Sequence, residues 1–201
     1  MKYINYFNHR IFICAIAAVL VPSLVFAHEG ASLPYGSFIG GLSHPVLGVD
    51  HFLAMVSVGI LSAQIGGRAI WTVPATFVGV MALGGLLGYI DIGLTAIEAG
   101  IAISVLALGV AIAVDRKLPI SLAMTAVGFF AIFHGYAHGA EMPAVANSIT
   151  YAAGFLTGTA ALHLFGVLIG DIARRNVHGN SVLRLAGGAI AGTGALFLIG
   201  A

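Results

Sequence analysis

The sequence predicts an all-α membrane protein, in which a six-transmembrane-helix bundle follows a cleaved N-terminal signal peptide. The first observation is composition, because 60% of the 201 residues are hydrophobic and only 7% are charged. Soluble domains are about 25% charged, so this chain lies outside that class. The second observation is the recurrence of apolar stretches of roughly 20 residues, the length of a helix that crosses a bilayer. The third is the sparse basic charge, which falls in alternate connections between those stretches.

The N-terminus has the three parts of a secretory signal peptide. Lys2 and Arg10 supply positive charge, residues 11–21 form an apolar core, and Ala27 ends a cleavage-site pattern. Cleavage after Ala27 divides the chain into a signal peptide at 1–27 and a six-helix transmembrane domain at 28–201. The alternative is an uncleaved first transmembrane helix. Cys14 is the single cysteine and lies in the apolar core, so the mature chain has no thiol for a disulfide or a metal.

Six segments after the signal peptide are long and apolar enough to cross a membrane. They are residues 36–63, 71–90, 94–114, 119–138, 149–171 and 182–200. They leave no room for a soluble catalytic or nucleotide-binding domain, and the short connections between them favour an up-down antiparallel bundle. Glycines three to five residues apart in the second and sixth spans predict close helix packing. These glycines are Gly84, Gly85, Gly88, Gly187, Gly188 and Gly192.

The basic residues after the signal peptide predict the orientation of the chain. They lie in alternate connections: Arg68, Arg116, Lys117, Arg174, Arg175 and Arg184. The positive-inside rule places these connections in the cytoplasm and both mature termini outside, which agrees with an exported N-terminus. Eight scattered Lys and Arg residues cannot form the basic patch that nucleic acid requires, so we expect no nucleic-acid partner.

The first span carries an unusual set of polar and sulfur side chains: His44, Asp50, His51 and Met55. On a regular helix His44 and His51 are about 10 Å apart along the axis, too far to share one ion. Either Pro45 and Gly48 bend the helix and bring them together, or they form two successive stations along a path. Asp50 is a partner for a histidine ring or a direct ligand. Met55 is interpreted as core packing in preference to a thioether ligand.

The fourth span ends with a second cluster. His134 and His138 are four residues apart, on one helical face, which is the usual spacing for two imidazoles that share a divalent ion. Glu141 extends that face toward the outside. The fifth span adds His163 near its middle, either as a further ligand or as a structural hydrogen-bonding residue. Glu98, in the outer part of the third span, is equally consistent with a path residue and with an interfacial one.

A free N-terminal histidine would add a chelate at the external mouth. If cleavage follows Ala27, the α-amine and imidazole of His28 can together bind a borderline metal ion such as nickel, copper or zinc. Imidazole with some carboxylate and no thiolate suits nickel, cobalt, zinc, copper(II) or iron(II) better than copper(I) or magnesium. Ligand chemistry alone does not choose among these metals.

Two motifs on separate spans resemble those of the HupE/UreJ family, the hydrogenase and urease accessory permeases. They are H-P-x-x-G-x-D-H-x-x-x-M from position 44 and F-H-G-x-x-H-G-x-E from position 133. The resemblance covers the whole mature chain. It implies a bacterial inner-membrane protein with six helices that moves nickel, or cobalt in some members, for metalloenzyme maturation. The residues at the family's motif positions are His44, Asp50, His51, His134, His138 and Glu141.

The sequence therefore predicts an inner-membrane permease for a divalent transition-metal ion, nickel before cobalt, and not an enzyme. No phosphate-binding loop is present, so movement of the ion is facilitated diffusion or is coupled to an ion gradient. The ion is the substrate, the lipid bilayer is the other partner, and no cofactor is expected. A homo-oligomer is left open. The alternatives are an intramembrane zinc-dependent hydrolase and a metal sensor that does not transport.

Overall fold

The computed structural model describes residues 33–200, and within this range the chain forms helices and no strand. In chain order the helices are α1 (Gly36–Leu47), α2 (Val49–Ile65), α3 (Ala69–Tyr89), α4 (Ile97–Val114), α5 (Ile120–Ala140), α6 (Ser148–Arg174) and α7 (Gly179–Gly200). The predicted signal peptide, its cleavage site after Ala27, and His28 lie outside the described residues.

Five of the six predicted spans are single helices, α3 to α7, each long and apolar enough to cross a membrane. Their ends lie within three residues of the predicted ones. The first predicted span, 36–63, is instead divided at Gly48 into α1 and α2, which bend by 82°. Taken together, α1 and α2 have the length and hydropathy of a sixth, broken span. The chain is thus a multi-pass membrane protein, and all the regular secondary structure in residues 33–200 is helical.

Helix α2 lies at the centre of the helix bundle. Every residue from Leu53 to Gln64 is buried, because α3, α4 and α6 all pack against this helix. The large apolar side chains that remain exposed lie mostly on the outer helices, for example Trp71 and Leu83 on α3 and Leu185 on α7. Polar side chains on α2 therefore face protein, whereas the apolar outer surface suits contact with lipid.

The closest helix pairs are not neighbours in sequence. α3 packs on α5, α4 on α7, and α6 on both α1 and α2. Gly84 and Gly88 of α3 lie against the backbone of α5 at Ile132 and Tyr136, with no space for a side chain. From the first contact to the second, the residue number increases by four on each helix, so α3 and α5 run parallel. The short connections thus join helices that are not each other's closest partners.

The prediction that glycines allow close helix packing is confirmed for the second span, α3, and only in part for the sixth span, α7. Gly187 of α7 lies against the backbone of α4, and so does Gly194, which the sequence pattern did not include. A Cβ on Gly188 or Gly192 would have no described atom within 4 Å. The reason is the helical period: positions 187 and 194 are two turns apart on one face, and positions 188 and 192 lie on another.

Two of the basic residues cap helix C-termini. The Arg174 guanidinium donates hydrogen bonds to the carbonyl oxygens of Ala63 and Gln64, at the end of α2. Arg184 Nε donates to the carbonyl oxygen of Ala113, at the end of α4, over 3.0 Å. Helix C-terminal carbonyls carry partial negative charge and favour such cationic partners. These arginines stabilise the end of the bundle at which the connections with basic residues lie.

Candidate functional site

The break between α1 and α2 is built around Gly48. This residue is extended (φ −82°, ψ 114°), and its N–H donates a long hydrogen bond of 3.4 Å to the carbonyl oxygen of His44. The bend brings both histidines of the first motif close to His138 of α5. The ring centroid of His138 lies 4.8 Å from that of His44 and 4.6 Å from that of His51. The bend that Pro45 and Gly48 predict is thus present, and His44 and His51 each contact His138.

Four imidazoles form a continuous series, here called the imidazole ladder: His44, His138, His51 and His134. Each ring contacts the next edge to face, and the third step, from His51 to His134, is 4.8 Å between centroids. At its outer end Glu141 Oε2 lies 3.3 Å from His44 Nε2. The ladder therefore joins the first and fourth spans, as the sequence predicts.

The outer end of the ladder is exposed and the other three rings are buried. The Glu141 side chain is 53% exposed and that of His44 is 28% exposed, whereas that of His51 is 8% exposed. His134 and His138 are fully buried. The series thus starts at a carboxylate that water can reach and ends inside the bundle. Such a gradient is typical of a route between solvent and the protein interior.

Asp50 orients His51. Its Oδ1 accepts hydrogen bonds from the backbone N–H of His51, over 2.7 Å, and from the ring Nδ1–H, over 2.9 Å. The proton on Nδ1 leaves Nε2 with its lone pair, and this atom is buried without a hydrogen-bond partner among residues 33–200. A carboxylate behind an imidazole is the common arrangement at metal-binding histidines, because it sets the tautomer and the ring orientation.

Ser104 of α4 has the equivalent effect on His134. Its hydroxyl donates to the carbonyl oxygen of Ile101, over 2.6 Å, and its oxygen lies 2.8 Å from His134 Nε2. Since the hydroxyl proton is already donated, the ring donates Nε2–H to Ser104, and Nδ1 retains the lone pair. Two neighbouring rings of the ladder are thus held in tautomers that expose one unpaired nitrogen each.

Six ring nitrogens of four buried histidines have no hydrogen-bond partner within residues 33–200: His51 Nε2, His134 Nδ1, and both nitrogens of His138 and His163. Buried polar atoms are normally paired, so such a concentration requires a functional explanation. In this part of the chain no three His, Cys, Asp or Glu side chains are arranged to enclose one ion. The imidazoles of the ladder contact one another in a series.

His163 lies beyond the ladder. It is 1% exposed, and its ring meets the ring of Phe77 edge to face at 5.1 Å. Phe77 also contacts His134, at 5.6 Å, and it is itself fully buried. The sequence leaves His163 open as a further ligand or a structural hydrogen-bonding residue. The structure places it near the other histidines, with the Phe77 ring against both His163 and His134.

Met55 and Glu98 have distinct positions. Met55 is fully buried in the hydrophobic core, as predicted, and its sulfur accepts a hydrogen bond from Thr159.

Glu98 lies in the first turn of α4 and, with Asp50, lines an open cavity of about 360 Å³ between α2, α4 and α7. A second opening thus reaches Asp50, the hydrogen-bond partner of His51 within the ladder.

Sequence reasoning did not find Ser104, Phe77 or Thr159. Ser104 could have been found, because it is the one hydroxyl in helix α4, whose only other polar side chain is Glu98. Phe77 has no such signal, since an aromatic residue in a membrane span is ordinary. Its position against the histidines depends on the close packing of α3 on α5, which composition does not reveal.

Comparison with known proteins agrees with the two motifs. The family described as "HupE / UreJ protein" matches residues 16–197. A curated relative, "Protein HupE" of Rhizobium leguminosarum bv. viciae, is 44% identical over 185 residues, which cover 92% of this chain and 95% of the relative. No solved structure matches the chain significantly. With a family match over nearly the whole chain and a relative of this similarity, the chain belongs to the HupE/UreJ family.

Proposed function

We propose that this protein is a bacterial inner-membrane permease for a divalent transition-metal ion, nickel foremost and cobalt next, which supplies metalloenzyme maturation. The observation that carries the proposal is the imidazole ladder with its buried, unpaired nitrogens. A cation that replaced each missing hydrogen bond would offset the cost of burying these polar atoms. Membership of the HupE/UreJ family supports nickel or cobalt as the ion.

The graded burial of the ladder is suited to movement of an ion. Transport requires binding that is strong enough to remove water from the ion and weak enough to release it. Rings whose centroids are less than 5 Å apart allow one ligand to be exchanged for the next. In this scheme Glu141 and His44 receive the ion, and His138, His51 and His134 carry it inward. Asp50 and Ser104 keep the rings in ligating tautomers.

The rival function, a zinc-dependent hydrolase, needs three protein ligands around one ion and an open position for water. The series arrangement in residues 33–200 favours transport over this chemistry. We therefore propose that the protein is not an enzyme. His28 lies outside the described residues. We propose that, as the mature N-terminal residue, it is a further ligand at the external mouth.

Nickel uptake by reconstituted protein tests this function. Proteoliposomes containing wild-type protein should accumulate radioactive nickel, and His138→Ala should reduce the initial rate at least tenfold, because it removes the ring that contacts both His44 and His51. His178→Ala is the matched control, since His178 lies exposed between α6 and α7. It should transport at the wild-type rate. Stoichiometric nickel binding without uptake by wild-type protein would favour a sensor and contradict the proposal.

A further inference from the structure

Two buried methionine sulfurs converge on one hydroxyl group. The Thr159 hydroxyl lies 3.3 Å from Met55 Sδ and 3.8 Å from Met81 Sδ. All three side chains are fully buried. Because a hydroxyl has a single proton, it can donate to only one of the two sulfurs at a time. The lone pairs of the other sulfur then receive no hydrogen bond from this hydroxyl. These three residues are here called the thioether layer.

The thioether layer lies between His51 and His163. On α2, Met55 follows His51 by four residues, and on α6, Thr159 precedes His163 by four residues. Four residues are about one helical turn. The glycine contacts between these helices show that α2 and α6 run parallel, so both steps lead in the same direction. An ion that moves from His51 toward His163 therefore passes the depth of the thioether layer.

His163 supplies an independent reason to expect an ion at this depth. Both of its ring nitrogens are buried and lack a hydrogen-bond partner within residues 33–200. It is the only described histidine of α6, and the ladder ends before it, with Phe77 against its ring. An imidazole with two unpaired nitrogens so far from solvent is costly unless it receives a ligand.

Thioether ligands discriminate among ions. Methionine sulfur is soft and uncharged, and it binds ions such as copper(I), whereas magnesium, calcium and manganese favour carboxylate, carbonyl and water oxygens. A passage with two sulfurs and one hydroxyl offers a hard ion little compensation for the water it loses. A neutral, weak ligand set also releases a borderline ion readily.

We propose that Met55, Met81 and Thr159 form a coordination station on the ion path, which accepts soft and borderline transition-metal ions and rejects hard ones. This inference rests on the proposed transport function. It assigns the two methionines a role as specificity-determining ligands, in addition to their packing in the core.

Silver(I), a soft probe ion, tests the station without reference to transport. We expect X-ray absorption of purified wild-type protein loaded with one equivalent of Ag⁺ to show sulfur neighbours. Met55→Leu/Met81→Leu should lose them, and Met124→Leu/Met142→Leu should retain them. Leucine conserves the volume of methionine, so the core is expected to remain packed. Silver bound only through nitrogen or oxygen in the wild-type protein would overturn the proposal.

Uptake measurements test whether the station lies on the path. Met55→Leu/Met81→Leu should reduce the initial rate of nickel uptake at least tenfold, while Met124→Leu/Met142→Leu should stay within twofold of wild type. Wild-type protein should take up nickel at least tenfold faster than manganese. A nickel rate within twofold of wild type in Met55→Leu/Met81→Leu would remove the methionines from the path. If wild-type protein takes up no nickel, the permease proposal fails, and the silver measurement still decides whether the sulfurs bind an ion.

Discussion

At the scale of single residues, the unpaired ring nitrogens are the most costly feature of this protein. Each buried polar atom without a partner costs about 1–3 kcal/mol, against a total stability of about 5–15 kcal/mol for a typical domain. Six such atoms would be a large burden for a protein that used its histidines only for packing. Asp50 and Ser104 fix the tautomers of His51 and His134, and this is the arrangement that the proposed metal ligation requires.

Ser104 gives a prediction at this scale. Ser104→Ala removes the oxygen that accepts Nε2–H of His134, so the ring loses its fixed tautomer. Loss of such a supporting partner typically weakens metal affinity about 10- to 100-fold. We expect the nickel concentration for half-maximal uptake to rise by about tenfold or more. Ser62→Ala is the matched control, because Ser62 is equally buried and its hydroxyl donates only to the carbonyl oxygen of Gly59. Equal nickel dependence in the two variants would show that Ser104 has no such role.

At the scale of helices, the break between α1 and α2 decides the geometry of the site. A straight helix would separate His44 and His51 by about 10 Å along its axis, and only one of them could then contact His138. The 82° bend lets both rings approach the same partner. In α5, by contrast, regular helical spacing is sufficient, because four residues place His134 and His138 on one face.

Gly48 gives the prediction that belongs to this scale. A Cβ at this position would lie 3.0 Å from Asp50 Oδ1 and 3.3 Å from His51 Nδ1, so Gly48→Ala displaces the carboxylate–imidazole pair. Its backbone angles are open to alanine, and the effect should therefore be local to the site. We expect nickel uptake to fall severalfold while the protein still elutes as a single folded species. Gly79→Ala, where a Cβ meets no described atom within 4 Å, is the control and should transport normally.

At the scale of the whole molecule, glycine contacts hold the helices close enough to bury a polar centre. α2 is enclosed by α3, α4 and α6, so its histidine, serines and glutamine are shielded from lipid. The exposed surface is rich in large apolar side chains, as expected for contact with hydrocarbon. The bundle thus combines an apolar exterior with an ionisable interior, which is the usual arrangement of a membrane transporter.

Orientation in the membrane is the prediction for the whole molecule. The positive-inside rule places the connections with Arg68, Arg116 and Arg174 in the cytoplasm and the C-terminus in the periplasm. Alkaline phosphatase fused after Ala201 should be active, and green fluorescent protein fused there should be dark. The same reporters fused after Lys117 should give the reverse pattern. A fluorescent C-terminal fusion with inactive phosphatase would reverse the proposed topology.

The sequence by itself determined the positions of the apolar segments, five of which are single helices long enough to cross a membrane, and the two histidine motifs. These are local properties, because the length of an apolar stretch and the spacing of residues along a helix need no information from elsewhere in the chain. The HupE/UreJ resemblance, carried by the same motifs, is also confirmed. His163 was identified as a candidate for the same reason, as a lone histidine in an apolar span.

Only the tertiary structure decided which side chains meet. The supporting role of Ser104, the Phe77 ring beside His163 and the convergence of Met55 with Met81 all join residues from different helices. Such contacts depend on how far each helix is rotated and which helix it packs against, and here the closest partners are not sequence neighbours. Proline and glycine in the first motif indicated a bend, but they did not give its 82° angle or show that both α1 and α2 pack on α6. The physical reason is that helix formation is local, whereas the relative placement of helices is set by packing across the whole bundle.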